Sequence, residues 1–291
     1  MRQKTKIIIL AVLFALSLCL TLYPLVSNYL GEKNRSIVQS EYHEAVQSMD
    51  DSQLDEELKK ARDYNGLLAP GASDHEAYTR ESITAAGEAY HDLLNIRGDS
   101  IMGYVEIPKI DVSLPIYHGT EDTALNKGVG HLLGSSLPVG GESTHAVLTG
   151  HSGLAGHRMF SELDQLREGD VFYIDVLGEV IAYEVDAINT VLPEDTSKLG
   201  IEDMQDHCTL VTCTPYGVNT HRLLVRGHRI AHEEAVQLIE ETAFSEEEVI
   251  SSWTDQYILG LVIGGIFLTV LLLIPVIRAA NKEDDYYENE A

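Results

Sequence analysis

The chain has 291 residues, 44% of them apolar and 23% charged, with 46 acidic against 20 basic side chains and three cysteines. This composition excludes a wholly disordered chain, and three cysteines are too few for a disulfide scaffold. A net charge of −26 argues against nucleic acid as a partner, because phosphate binding needs a clustered basic face. The charge is uneven. Residues 1–30 carry Arg2, Lys4 and Lys6 and no acid, residues 278–291 carry two bases and five acids, and the middle of the chain holds 41 acids against 15 bases. Such a middle region reads as a solvated acidic face.

In chain order, residues 7–26 (IIILAVLFALSLCLTLYPLV) are uncharged. About 20 apolar residues suffice for a bilayer-spanning helix. The basic residues before them also fit a signal peptide, but the run is longer than an ordinary signal core and no clear small-x-small cleavage site follows. Residues 1–30 are therefore expected to be an uncleaved N-terminal anchor. Residues 257–277 (YILGLVIGGIFLTVLLLIPVI) form a second candidate span, followed by Arg278 and Lys282 and a short tail, 278–291. Basic residues outside both spans predict a two-span membrane protein with both termini cytoplasmic.

Residues 31–99 read as a helical extension. Ile37, Val38, Tyr42, Ala45, Val46 and Met49 share one helix face. Ser52, with Asp50 and Asp51, can cap a second helix through Leu54 and Leu58. Asn65-Gly66 and Pro70-Gly71 break the pattern, and a further helix is expected around 80–96. Residues 100–235 change to short strands: Met102–Ile107, Ser113–Tyr117, His145–Thr149, Val171–Val176, Val180–Leu192, Thr209–Cys213 and Arg222–Arg226, with a tight connection at Gly178-Glu179. One short helix fits 159–168, where Phe160, Leu163 and Leu166 recur every three residues. This pattern predicts a mainly β barrel or sandwich, followed by a linker, 236–256.

The chemistry centres on one thiol. Cys19 lies in the first apolar run and reads as filler. Cys208 and Cys213 flank TLVT. Opposite parity sends their side chains to opposite faces of a strand, roughly 16 Å apart along it, beyond disulfide reach. Cys208 is expected to be buried and inert, and Cys213 exposed at a strand rim before Pro215-Tyr216-Gly217. If the next strand returns antiparallel, Arg222 comes back beside Cys213, where a guanidinium favours a thiolate and can donate to a substrate oxygen. His151, at the end of HAVLTG, can act as base, acid or ion-pair partner. His145, His151 and His157 stand six apart, a spacing that matches no zinc signature. His118, His207, His221 and His228 read as surface or hydrogen-bonded side chains.

TLVTC (209–213) with TPYGVNTHR running to Arg222, LTGHSGLAGHRMFSEL (148–163) and GYVEIPKIDVSLPIYHGT (103–120) together resemble the sortase family over roughly residues 100–232. With the helical extension and two apolar spans, the resemblance is to class C, the pilus-assembling sortases. It implies an eight-stranded β-barrel outside the cytoplasmic membrane of a Gram-positive cell, cysteine transpeptidation, no cofactor and no metal. Its implied catalytic residues are His151, Cys213 and Arg222. Cys213 would cleave the Thr–Gly bond of an LPxTG-like signal on a pilin or surface protein and form a thioacyl enzyme. The acceptor would be an amine, a pilin lysine in pilus polymerisation. Alternatives are a cell-wall-anchoring sortase that uses a peptidoglycan amine, or a hydrolytic cysteine peptidase that uses the same thiol with water. A non-enzymatic surface adhesin leaves the Cys213, His151 and Arg222 set unexplained. Many pilus sortases carry a lid with an Asp-Pro-aromatic motif. Residues 62–79 (RDYNGLLAPGASDHEAYT) lack it, and no lid residue is assigned.

Overall fold

The computed structural model describes residues 2–68, 90–153 and 159–245, with 260, 262–267 and 274 further on. Two compact units are present, Met1–Glu32 with Glu246–Ala291, and Lys33–Ser245. In the first unit, helix α1 (Arg2–Gln47) begins and covers the apolar run 7–26. Val12, Leu13, Leu16 and Leu20 are exposed on it. Among the described residues no helix is long and apolar enough to cross a membrane. The second expected span, 257–277, lies mostly outside those residues.

The second unit is built on a closed eight-stranded barrel: β1 (Ile101–Ile107), β2 (Val112–His118), β3 (Val129–His131), β4 (Thr144–Thr149), β5 (Val171–Val176), β6 (Glu179–Val191), β7 (Asp206–Thr214) and β8 (His221–Ile230). The strands close in the order β1-β2-β3-β4-β7-β8-β6-β5. Pairing is antiparallel except for β2–β3 and β4–β7. All seven predicted strands are present. The eighth, β3, has only three residues, too few to show a period of two in sequence. Gly130 permits its close approach, since a Cβ there would stand 2.4 Å from the Gly119 carbonyl oxygen.

Two local expectations are corrected. Residues 159–168 are not an α-helix but turns around a single 3₁₀ turn, Leu163–Gln165. The three-residue spacing still buries Phe160, Leu163 and Leu166, because a 3₁₀ turn repeats every three residues. The β5–β6 connection is Leu177-Gly178, one residue earlier than expected. Val176 pairs with Glu179, and positive φ at both turn residues (53° and 83°) is the geometry that matches strand twist in a two-residue hairpin.

The barrel core continues into the helical extension. Tyr42 of α1, Leu58, Ala61 and Tyr64 of α2 (Asp51–Gly66), Tyr90 and Leu94 join one apolar cluster with Tyr104, Phe172 and Leu210. Helix α2 starts at a capping box: Asp50 accepts from the Gln53 amide (2.9 Å), and the Gln53 side chain accepts from the Asp50 amide (3.0 Å). Asp50 is therefore the cap, a contribution of about 1 kcal/mol. Two buried polar side chains peg the extension to the barrel. The Tyr42 hydroxyl donates to the Met102 carbonyl and accepts from the Leu177 amide, both at 3.0 Å. Asn65 accepts from the Leu137 amide (2.7 Å) and donates to its carbonyl (3.0 Å). The first ten residues of the helix expected over 80–96 lie outside the described residues, and from His91 the chain turns. Helix α3 (His232–Ser245) follows β8.

Candidate active site

Strands β4, β7 and β8 lie side by side, and alternation sorts their residues. Cys208 and Leu210 of β7 point inward and are fully buried. Val211 and Cys213 have the other parity and face outward. On that outer face Val147, Val211, Leu224 and Leu199 form a small apolar cluster, with Val191 and Leu132 packed against it. Cys213 stands just above this cluster, half-buried and with a free thiol.

Arg222 is the register partner of Cys213 across the antiparallel β7–β8 ladder. Its Nη1 donates to the carbonyls of His221 (3.0 Å) and Asn219 (3.3 Å), so the loop between the strands orients the guanidinium. Among the described residues no carboxylate pairs with it, and its other N–H groups remain available to a ligand.

His151 lies just past the end of the neighbouring strand β4. The parallel register joins Thr149 to Val211. The ladder continues through the Gly150 amide, which donates to the Val211 carbonyl (2.9 Å), and the Thr212 hydroxyl, which donates to the Gly150 carbonyl (2.8 Å). His151 follows Gly150 and Cys213 follows Thr212, so each lies one residue past this last contact between the two segments. The His151 carbonyl accepts from the amide of buried Phe160 (3.1 Å). The Phe160 ring leaves no room for a side chain at Gly150, where a Cβ would stand 2.7 Å from it. Tyr216 of the β7–β8 loop lies over Gly153, 3.1 Å from where a Cβ would be, so the loops bearing His151 and Cys213 meet. The fold thus pairs Arg222 with Cys213 and brings the loop that carries His151 to the loop that follows Cys213.

The other cysteine and histidines behave differently. Burial pushes the Cys208 thiol well above its ordinary pKa. His145 shares the outer face of β4 with His151 but is buried. Its Nδ1 lies 2.8 Å from the Gly200 carbonyl oxygen and its Nε2 2.7 Å from the Thr209 hydroxyl. The carbonyl only accepts, so Nδ1 donates to it and Nε2 accepts from Thr209. Burial lowers the pKa of this ring to about 4, and it is neutral at pH 7. His157 lies outside the described residues. His118 is buried and hydrogen-bonded to the Ser100 and Leu93 carbonyls (3.1 and 2.8 Å), the second of the two expected settings, and His207 is buried. Among the described residues no group of three or more His, Cys, Asp or Glu side chains converges on a metal position. Sequence reasoning missed the His145 link and an ion cluster on Arg226, described below, because each joins segments that are distant in the chain.

A half-buried thiol with a guanidinium as its ladder partner, on the outer face of a closed eight-stranded barrel, fits cysteine acyl transfer. Residues 105–230 match the sortase domain model. Sortase C1 from Streptococcus agalactiae is 44% identical, with a TM-score of 0.62, over 67% of this chain and 98% of that one. Streptococcus pneumoniae sortase C, whose structure was described in terms of catalysis and pilin substrate specificity, is 44% identical with a TM-score of 0.58, over 67% and 97%. Clostridium perfringens sortase C, solved with the C-terminal cell wall sorting motif, is 41% identical with a TM-score of 0.56, over 67% and 99%. The chain belongs to the sortase family, and these structural neighbours are class C sortases.

Proposed function

We propose that the chain is a membrane-anchored transpeptidase that polymerises pilins through Cys213. The observation that carries this reading is Arg222 opposite Cys213 on the outer barrel face, with His151 just past the end of the neighbouring strand β4. The likeness to class C sortases supports the pilin as substrate.

In this reading the Cys213 thiolate attacks the carbonyl carbon of the Thr–Gly bond in an LPxTG-like signal. A free thiol is already a few per cent ionised at neutral pH, which suffices for a strong nucleophile. The C–N bond breaks, His151 gives its proton to the departing glycine amine, and a threonyl thioester remains on Cys213. A lysine amine of the next pilin then attacks the thioester. His151 takes the amine proton, an isopeptide bond forms and the thiolate leaves. Arg222, already oriented by two loop carbonyls, donates its remaining N–H groups to the peptide backbone or to the oxyanion of each tetrahedral intermediate.

The test is to incubate the full chain in detergent with a sorting-signal peptide and a lysine-bearing acceptor. A mass adduct on Cys213 and an isopeptide-linked product are expected. Hydrolysis alone in the presence of the acceptor overturns transpeptidation in favour of a peptidase.

Anchoring is part of the same proposal. It is supported by the uncharged run 7–26, with Val12, Leu13, Leu16 and Leu20 exposed on α1, and by the second run at 257–277. Reporter fusions at residues 2 and 291 should both read cytoplasmic, and a cytoplasmic reading from a fusion near residue 240 overturns the topology.

A further inference from the structure

The connection between β6 and β7, residues 192–205, is held unevenly. Its second half is fixed to the barrel at several points. The buried His145 donates to the Gly200 carbonyl and accepts from Thr209. Arg226 of β8 holds both oxygens of Asp186 (Nε to Oδ1 3.0 Å, Nη2 to Oδ2 2.9 Å) and reaches Glu202 with Nη1 (2.8 Å). Asp186 is the extra residue of a bulge in β6, where the register against β8 shifts between Val185 and Ala187. A bulge of this kind re-aims a side chain, here toward Arg226. Ser143 then binds the Met204 amide (2.9 Å). The hydrogen bonds of the first half, 192–198, are those of local turns, Asp195–Ser197, Leu192–Asp195 and Thr196–Leu199, and Leu192 and Lys198 are exposed.

Between the two halves sits Leu199, buried on Val147, Val211 and Leu224. Val211 and Leu224 lie two residues from Cys213 and Arg222 on the same face. The start of the connection is also at the site, since Val191 pairs with Arg222. We propose that His145 and Arg226 are positioning residues for peptide acceptance: by fixing residues 199–202 they hold Leu199 on the barrel and set the wall beside Cys213 and Arg222 against which an extended peptide lies.

This inference rests on the sorting-peptide reading above. A wall met by bound peptide and transition state alike changes KM and leaves kcat in place. The bidentate contact to Asp186 also makes Arg226 irreplaceable by lysine at this position.

His145→Asn and His145→Gln in the full chain separate positioning from general stability. The asparagine amide can occupy the Nδ1 position and keep the Gly200 contact. The glutamine amide reaches toward Nε2 and keeps Thr209 instead. His145→Asn should retain a near-wild-type KM for a sorting-signal peptide. His145→Gln should raise KM roughly tenfold, the scale of one lost hydrogen bond, with kcat and iodoacetamide alkylation of Cys213 unchanged. Tryptic nicking after Lys198 should accelerate in His145→Gln and not in His145→Asn. Arg226→Lys should behave like His145→Gln. Equal KM and equal nicking in the two histidine variants, or a loss confined to kcat, overturns the inference alone. A wild-type chain without Cys213-dependent turnover overturns the functional reading and the inference with it.

Discussion

Cys213 and Arg222 are nine residues apart in sequence and directly opposite in space, paired across the β7–β8 ladder with their side chains on the outer face of the barrel. The loop between the strands, Pro215 to Thr220, gives its Asn219 carbonyl to the guanidinium. A short antiparallel return is what places a permanently charged, five-donor group beside a thiol without a long-range contact. The placement makes Arg222 a test of orientation against charge alone.

Lysine keeps the charge at position 222 but offers a point donor on a flexible stem. If Arg222 orients the peptide or oxyanion, Arg222→Lys and Arg222→Ala should both reduce transpeptidation by about 10²–10³-fold. The pH dependence of Cys213 alkylation should change little in the lysine variant. A fully active Arg222→Lys enzyme would falsify the orienting role and leave a generic cation.

The two barrel cysteines should separate cleanly. Cys213→Ala should abolish both thioacyl formation and turnover. Cys208→Ala should keep most activity, at about 1 kcal/mol of stability for a small cavity in the core. Iodoacetamide should label Cys213 in the folded wild type and leave Cys208 unmodified, because burial both shields that thiol and raises its pKa. Labelling of Cys208 at a rate like that of Cys213, read by peptide mass, contradicts the inward placement.

His151 and His145 sit on one strand face yet should fail in different ways. His151→Ala should lose about 10²–10⁴-fold in rate with little change in unfolding free energy. His145→Ala leaves the Thr209 hydroxyl and the Gly200 carbonyl without their partner. It should destabilise the fold by about 1–3 kcal/mol, measurable by urea titration. Comparable stability in both variants is the result that refutes the distinction.

Stability should fall on acidification from neutral pH. Burial holds the folded-state pKa of both His131 and His145 at about 4, below the ordinary 6.5. Between those values the unfolded chain takes up protons that the folded chain refuses, so unfolding becomes easier as pH drops through that window and the loss levels off below about pH 4. Each histidine corresponds to roughly 3 kcal/mol at full effect. Asp175 opposes this at lower pH, since burial raises its carboxyl pKa and favours the folded state once protonated. Urea midpoints at pH 7.5, 6 and 5 should decrease in that order, and a flat or rising series rejects the assignment.

Much of the barrel was legible because strand alternation and turn residues are local signals. Seven strands, the inward and outward parity of Cys208 and Cys213, and the end of α2 at Asn65-Gly66 all follow from patterns within ten residues. The three-residue strand β3 carries no periodicity, and the Phe160, Leu163 and Leu166 spacing serves a 3₁₀ turn as well as a helix.

Strand parity is legible in the chain itself, and so is the Cys213–Arg222 pairing once the return is taken as an antiparallel hairpin, because a hairpin brings back residues at a fixed offset. The burial of His145 rests on long-range contacts instead. His145 and His151 have the same parity, so strand alternation alone does not tell them apart. The parallel β4–β7 pairing, between strands separated by two others in the chain, joins Thr149 to Val211, each two residues before His151 and Cys213. The β6–β7 connection, folding back over the same face, buries His145 beneath Gly200. Both outcomes depend on loop closure across some 60 residues, and no local pattern records a contact of that span.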